Sequence, residues 1–253
     1  MKRRLEEMNE AALINRLFAL ADDELILGHR DSEWTGHAPI LEEDIAFSNI
    51  AQDEMGHALV WYTILHEQLG QPHPDRLAFW RQASEFRNAI LVELPKGDWA
   101  FTIVRQYLFD EYEKARNDAL ARCGYRPIEE AVAKIAREEV YHVMHSTGWV
   151  RRLGDATEES HRRMQAALDQ LWPHALGLFE PIERDAGFSS ELDRIQADWL
   201  KIVTPALTNA TLILSPEAVP VFGGRRGQHT AHLTALLDEM QTVARSEAPD
   251  AVW

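Results

Sequence analysis

The chain has 253 residues, 45% of them hydrophobic and 26% charged, which suits one large globular domain or two small ones. A formal net charge of −15 argues against a sequence-independent nucleic-acid binder, which needs clustered Lys and Arg. The single cysteine, Cys123, rules out an internal disulfide and a cysteine-held metal cluster, so any metal must take oxygen and nitrogen ligands.

The opening Met1-Lys2-Arg3-Arg4-Leu5-Glu6-Glu7 is too charged for a signal peptide, and no uninterrupted apolar run approaches ~18 residues. The expectation is a soluble, cytoplasmic protein that binds neither membrane nor nucleic acid.

In chain order, Asn9 is placed to cap a first long helix whose apolar stripe is Leu13, Leu17, Leu20, Ala21 and Gly28. Glu24 falls inside that stripe, while Asp22 and Asp23 lie to its side. Residues 31–39 read as a break, punctuated by Gly36 and Pro39. A second helix follows from about Leu41 with the stripe Phe47, Ile50, Ala51, Glu54, Ala58 and Trp61. His57 is adjacent to that stripe. It should end near Leu69-Gly70, since Pro72 and Pro74 prevent continuation.

Residues 75–93 read as a helical connector with aromatics at Phe79, Trp80 and Phe86. Pro95-Lys96-Gly97-Asp98 is a turn, and Asp98 can cap a third long helix that runs to Cys123 with Ile103, Tyr107 and Asp110 in its stripe. The fourth begins near Pro127, suited to a first helical turn, and ends at Gly154, with Val132, Ile135, Ala136 and Glu139 in its stripe. Four helices of roughly 25 residues are each about 37 Å long, the scale of a four-helix bundle. Further helices are expected over 157–179, kinked at Pro173, over 189–209, and over 228–244, after an irregular stretch from Leu212 to Gly227. No alternating strand pattern is visible. Most tryptophans (34, 61, 80, 99, 149, 172, 199 and 253) sit at stripe spacing and read as core or interface.

Two Glu-x-x-His pairs carry the chemistry: Glu54 with His57, and Glu139 with His142. Residues three apart on a helix share a face, so each pair can offer one oxygen and one nitrogen to a single point. Each pair has an upstream carboxylate at nearly equal distance, Glu24 by 30 residues and Asp110 by 29. A charged carboxylate in an apolar stripe is costly unless it is paired or meets a cation. Two divalent metals would resolve the repulsion among four such groups, and this arrangement is the one found in di-iron and di-manganese carboxylate bundles. Four carboxylates and two imidazoles suit iron or manganese better than four-coordinate zinc. The competing reading is a retired site, in which the same side chains form a buried hydrogen-bond and salt-bridge network. Periodicity alone leaves Asp110 in competition with its neighbours Glu111 and Glu113.

Gly223-Gly224-Arg225-Arg226-Gly227 lacks the spacing of a phosphate loop and reads as a basic turn that contacts a partner. His229 and His232 read as surface residues at a helix start, His145 as a support for the cluster, and Tyr107, Tyr112 and Tyr141 as amphipathic core residues.

The stretches Asp31-Ser32-Glu33-Trp34-Thr35-Gly36-His37-Ala38-Pro39, Leu91-Val92-Glu93-Leu94-Pro95-Lys96-Gly97-Asp98, Arg137-Glu138-Glu139-Val140-Tyr141-His142, Arg152-Leu153-Gly154-Asp155 and Gly223 to Leu233 resemble the C-type family of ring-1,2-phenylacetyl-CoA epoxidase subunits over nearly the whole length. The resemblance implies an all-α, ferritin-like four-helix bundle core (about 9–154) with additional C-terminal helices (about 155–253) in a single domain. It also implies a heteromeric monooxygenase of phenylacetate breakdown. There a catalytic A-type subunit holds the di-iron site and the CoA ester, and a reductase subunit supplies electrons. The C-type subunit is described as a structural partner whose own metal site has decayed. Asp53-Glu54-Met55-Gly56-His57, however, resembles the intact motif of the A-type subunit. By that resemblance Glu24, Glu54, His57, Asp110, Glu139 and His142 match the six ligand positions, and Asp110 is preferred over Glu111. The expectation is a chain that retains a di-iron or manganese site and partners the A-type subunit. The alternatives are a metal-free scaffold and a stand-alone di-iron oxidase or ferroxidase.

Overall fold

The computed structural model describes residues 10–182 and 186–248, with backbone alone for 186–190. Asn9, expected as a cap, and Trp253 lie outside the described residues. The described residues are all-α, with no strand among them. They form two compact units: residues 10–95 with 223–248, and residues 96–222.

In the first unit, α1 (Glu10–Ser32) and α2 (Leu41–Leu69) pack on each other as a helical hairpin. Leu13, Leu17, Leu20 and Ala21 of α1 and Phe47, Ile50, Ala51, Ala58 and Trp61 of α2 are buried, as their periodicity requires. Gly36 turns the chain at φ 77°, and its N–H donates to the Asp44 carboxylate. Gly70 ends α2 in the left-handed conformation, its N–H bonded to the Leu65 carbonyl. Gly28 lets the two helices approach: a Cβ there would lie 2.9 Å from Glu54 Cβ and 3.1 Å from the Ala51 carbonyl.

The connector expected as helical over 75–93 is helical only in short pieces. It is α3 (Pro74–Phe79), a 3-10 turn (Ala83–Glu85) and α4 (Ile90–Glu93). The physical reason lies on α1. The backbone N–H groups of Arg87 and Ala89 donate to the Asp22 and Asp23 carboxylates, 2.7 Å in each case, instead of continuing a helix. The last helix, α9 (Ala231–Met240), is shorter than the expected 228–244. Thr230 caps it, and the residues before it are drawn into a tight loop.

The second unit contains α5 (Trp99–Leu120), α6 (Arg126–Gly154), α7 (Glu158–Leu176) and α8 (Ala186–Asn209). Asp98 caps α5 by accepting from Phe101 N at 2.9 Å, Pro127 lies in the first turn of α6, and Thr157 caps α7. α5 is its central rod, buried from Ala100 to Glu113, and it packs against α6, α7 and α8. Trp199 of α8 donates its indole N–H to the Leu108 carbonyl at 3.1 Å and stacks on Trp172. On α6 the buried face is Ile128, Ala131, Val132, Ile135, Glu139, His142, Ser146 and Val150; Ala136, expected in that stripe, is exposed. Tyr141 is likewise 67% exposed rather than a core residue.

Candidate metal centre

The first unit brings together Glu24 of α1 with Glu54 and His57 of α2. All three are buried. One donor atom from each lies within 4.8 Å of the others, and His57 Nδ1 is 3.8 Å from Glu24 Oε2. The local reason is register. Glu54 and His57 are three apart on α2 and project to one side, and the close approach at Gly28 sets the two helices near enough for Glu24 to meet them. Two carboxylates and an imidazole out of water fit a divalent cation that takes mixed oxygen and nitrogen ligands.

The second unit carries the same residue types, a buried acid on α5 and a Glu-x-x-His pair on α6. Glu139 and His142 are one turn apart on α6, both buried, with His142 Nδ1 3.0 Å from Glu139 Oε1. Asp110 of α5 is fully buried and accepts from Ser146 Oγ at 2.6 Å and Gln106 Nε2 at 2.8 Å. Burial first, and the Glu139 carboxylate second, push Asp110 well above the usual carboxylate range, against the opposing pull of His142 and the two hydrogen bonds. Of its rivals, Glu113 is fully buried and accepts from Arg116 at 2.8 Å and Asn117 at 3.3 Å. Burial raises Glu111. Tyr107 is buried as expected, and its phenol is raised by that burial and by Glu111 and Asp110.

Sequence reasoning missed the acids before Glu24. Asp22 and Asp23, expected at the side of the stripe, are fully buried. Asp22 accepts from both terminal nitrogens of Arg81, the Tyr62 hydroxyl and Arg87 N. Asp23 is held bidentately by Arg225, at 2.8 and 2.7 Å. The basic turn at 223–227 therefore does not present Arg225 to solvent: it is 5% exposed. His229, expected at the surface, has a buried side chain whose Nδ1 is 2.7 Å from Glu93 Oε2 and whose Nε2 is 3.1 Å from the Phe86 carbonyl. His232, by contrast, is exposed as expected. The only available signal was composition: an apolar helix carrying three consecutive acids needs buried cations from elsewhere in the chain.

No described helix is long and apolar enough to cross a membrane. Comparison with known proteins gives a full-length match, over residues 1–253, to the family described as Phenylacetic acid catabolic protein. The chain is 38% identical to the C subunit of the 1,2-phenylacetyl-CoA epoxidase of Escherichia coli (strain K12) over 231 residues, which is 89% of this chain and 93% of that relative. It is 27% identical to the A subunit of the same enzyme from the same organism over 169 residues, 67% of this chain and 54% of that relative. Similarity along the full length, on a helical fold with two buried Glu-x-x-His pairs, places this chain in the phenylacetic acid catabolic protein family.

Proposed function

We propose that this chain is one component of a 1,2-phenylacetyl-CoA epoxidase in aerobic phenylacetate breakdown. It would act in the cytoplasm with two others, a reductase subunit plus a catalytic A-type subunit. The similarity to the C-type relative over nearly the full length of both chains carries the reading. One dinuclear iron (or manganese) centre would be held by Glu24, Glu54, His57, Asp110, Glu139 and His142, with the whole chain acting as a single ferritin-like domain. Its support is the repetition of the same device in both units, a buried carboxylate with a buried Glu-x-x-His pair.

Bound iron would supply the activation of dioxygen. The chain's own residues do the holding. Glu54 and His57 present oxygen and nitrogen to one side of α2, and burial strengthens their attraction for a cation relative to water. Ser146 and Gln106 fix the orientation of the Asp110 carboxylate.

Partner binding has its own support. Leu41, Ile45, Met55 and Leu59 are exposed along α2, with Ser48 and Gln52 between them, at alternating four- and three-residue steps, the spacing of a helix seam. An apolar stripe of this kind on a homologous A-type subunit would cover it.

The test is elemental analysis of protein from iron-replete cells. About two metal ions per chain are expected. The double variants Glu54→Ala/His57→Ala and Glu139→Ala/His142→Ala should each lose both, as the proposed six-ligand assignment requires. Full metal in either variant overturns the six-ligand assignment. Metal-free wild-type protein that still supports the activity of the complex would make the chain a scaffold. Oxygen consumption by the chain alone would make it a stand-alone oxidase or ferroxidase.

A further inference from the structure

The geometry points to Asp23 and Arg225 as a positioning pair that fixes the direction of Glu24, so that the loop Gly223–Gly227 is part of the metal site's support. The inference rests on the metal-binding reading above.

Asp22, Asp23 and Glu24 are consecutive on α1, and consecutive side chains on a helix fan out by about 100° each. Each of the three points to a different buried partner. Asp22 meets Arg81, Tyr62 and Arg87 N from the α2 and connector side. Asp23 meets Arg225 and Ala89 N. Glu24 meets His57 and lies in the donor group with Glu54. With two of the three directions clamped, the helix cannot rotate about its axis without breaking buried ion pairs, so the third direction is set.

Arg225 reaches Asp23 because its loop is pressed against the connector. A Cβ on Gly224 would lie 2.0 Å from the Asn88 carbonyl, and one on Gly227 would lie 2.2 Å from the Ser84 carbonyl. Gly223 and Gly227 also take left-handed backbone, at φ 141° and 74°. Arg225 Nη1 further donates to the Arg87 carbonyl at 2.8 Å. A segment about 200 residues away in sequence is thus locked onto the helical turn that carries a ligand. A ligating group must be held within about 0.5 Å and 10–20° of its working geometry, so such a clamp bears directly on affinity.

The experiment titrates purified full-length protein with Co2+ and follows the visible absorption of the bound ion, alongside thermal unfolding. Arg225→Met is expected to weaken cobalt binding about 10–100-fold and to change its spectrum, the effect typical of removing a support behind a ligand. Arg225→Lys, which keeps the charge but loses the bidentate fork, is the variant that survives if Arg225→Met does not fold. It should show a smaller loss in the same direction. His229→Asn loosens the same C-terminal segment at Glu93 without touching Asp23, and should lower stability while leaving the affinity and spectrum of bound cobalt unchanged. Wild-type affinity and spectrum in folded Arg225→Met or Arg225→Lys would overturn the positioning role and leave the metal assignment standing. An equal loss in His229→Asn would also overturn it, by showing that any destabilisation suffices. Wild-type protein that takes up no cobalt would overturn the metal assignment, and the positioning role with it.

Discussion

Replacing Asp22 with asparagine tests the buried charge network most directly. The carboxylate is inaccessible and accepts from Arg81 Nη1 and Nη2, the Tyr62 hydroxyl and Arg87 N. Asparagine keeps the shape but turns one acceptor into a donor facing donors, and leaves the Arg81 guanidinium buried without its counter-charge. Breaking a buried pair in this way costs about 3–5 kcal/mol. Arg81 also lies over the Phe86 ring at 4.0 Å, with Phe18 at 5.1 Å and Tyr62 at 5.6 Å. Those cation–π contacts are worth about 0.5–2 kcal/mol and exist with or without Asp22, so they do not replace it. At about 2–4 °C per kcal/mol for a chain of this size, the midpoint should fall by about 6–20 °C. Thermal and urea unfolding read this out. The double variant Asp22→Leu/Arg81→Met removes both charges and should lose much less than the sum of the single changes. A loss below about 1 kcal/mol in Asp22→Asn, or strict additivity in the cycle, would refute the account of the network.

Three further outcomes follow from other parts of the molecule. Gly28→Ala places a methyl 2.9 Å from Glu54 Cβ, so it should destabilise by about 1–3 kcal/mol and weaken metal binding in the same titration. Ile45→Glu/Leu59→Glu alters only exposed positions of α2; it should leave the unfolding midpoint nearly unchanged while abolishing co-purification with an A-type subunit. Burial holds His29 below its usual value, chiefly against the opposing pull of Glu33 and Glu239. The unfolded chain therefore takes up that proton first, and stability should fall as pH drops through about 6.5 toward the lower folded value. His29→Gln should flatten that part of the stability profile, measured by urea unfolding between pH 7 and 5; an unchanged slope would count against it.

The two Glu-x-x-His pairs were readable because their geometry is local: three residues on a helix define a shared face whatever the helix packs against. The long helices were readable for the same reason. Gly70, Asp98, Pro127 and Thr157 mark their ends through the φ they permit or the N–H they cap. Ala136 shows the limit of that method. A small residue fits a buried or an exposed face equally well, and on α6 it is exposed.

The connector, Asp22, Asp23, Arg225 and His229 were decided only by tertiary structure. Arg81 reaches Asp22 across 59 residues, Arg225 reaches Asp23 across 202, and His229 reaches Glu93 across 136. No local pattern encodes such partners, and a charged side chain looks solvent-facing until its opposite arrives. The amino-acid order thus set the rods and the face on which each Glu-x-x-His pair sits. The folded molecule decided which neighbouring acids were buried, because burying a charge depends on a partner that only chain folding supplies.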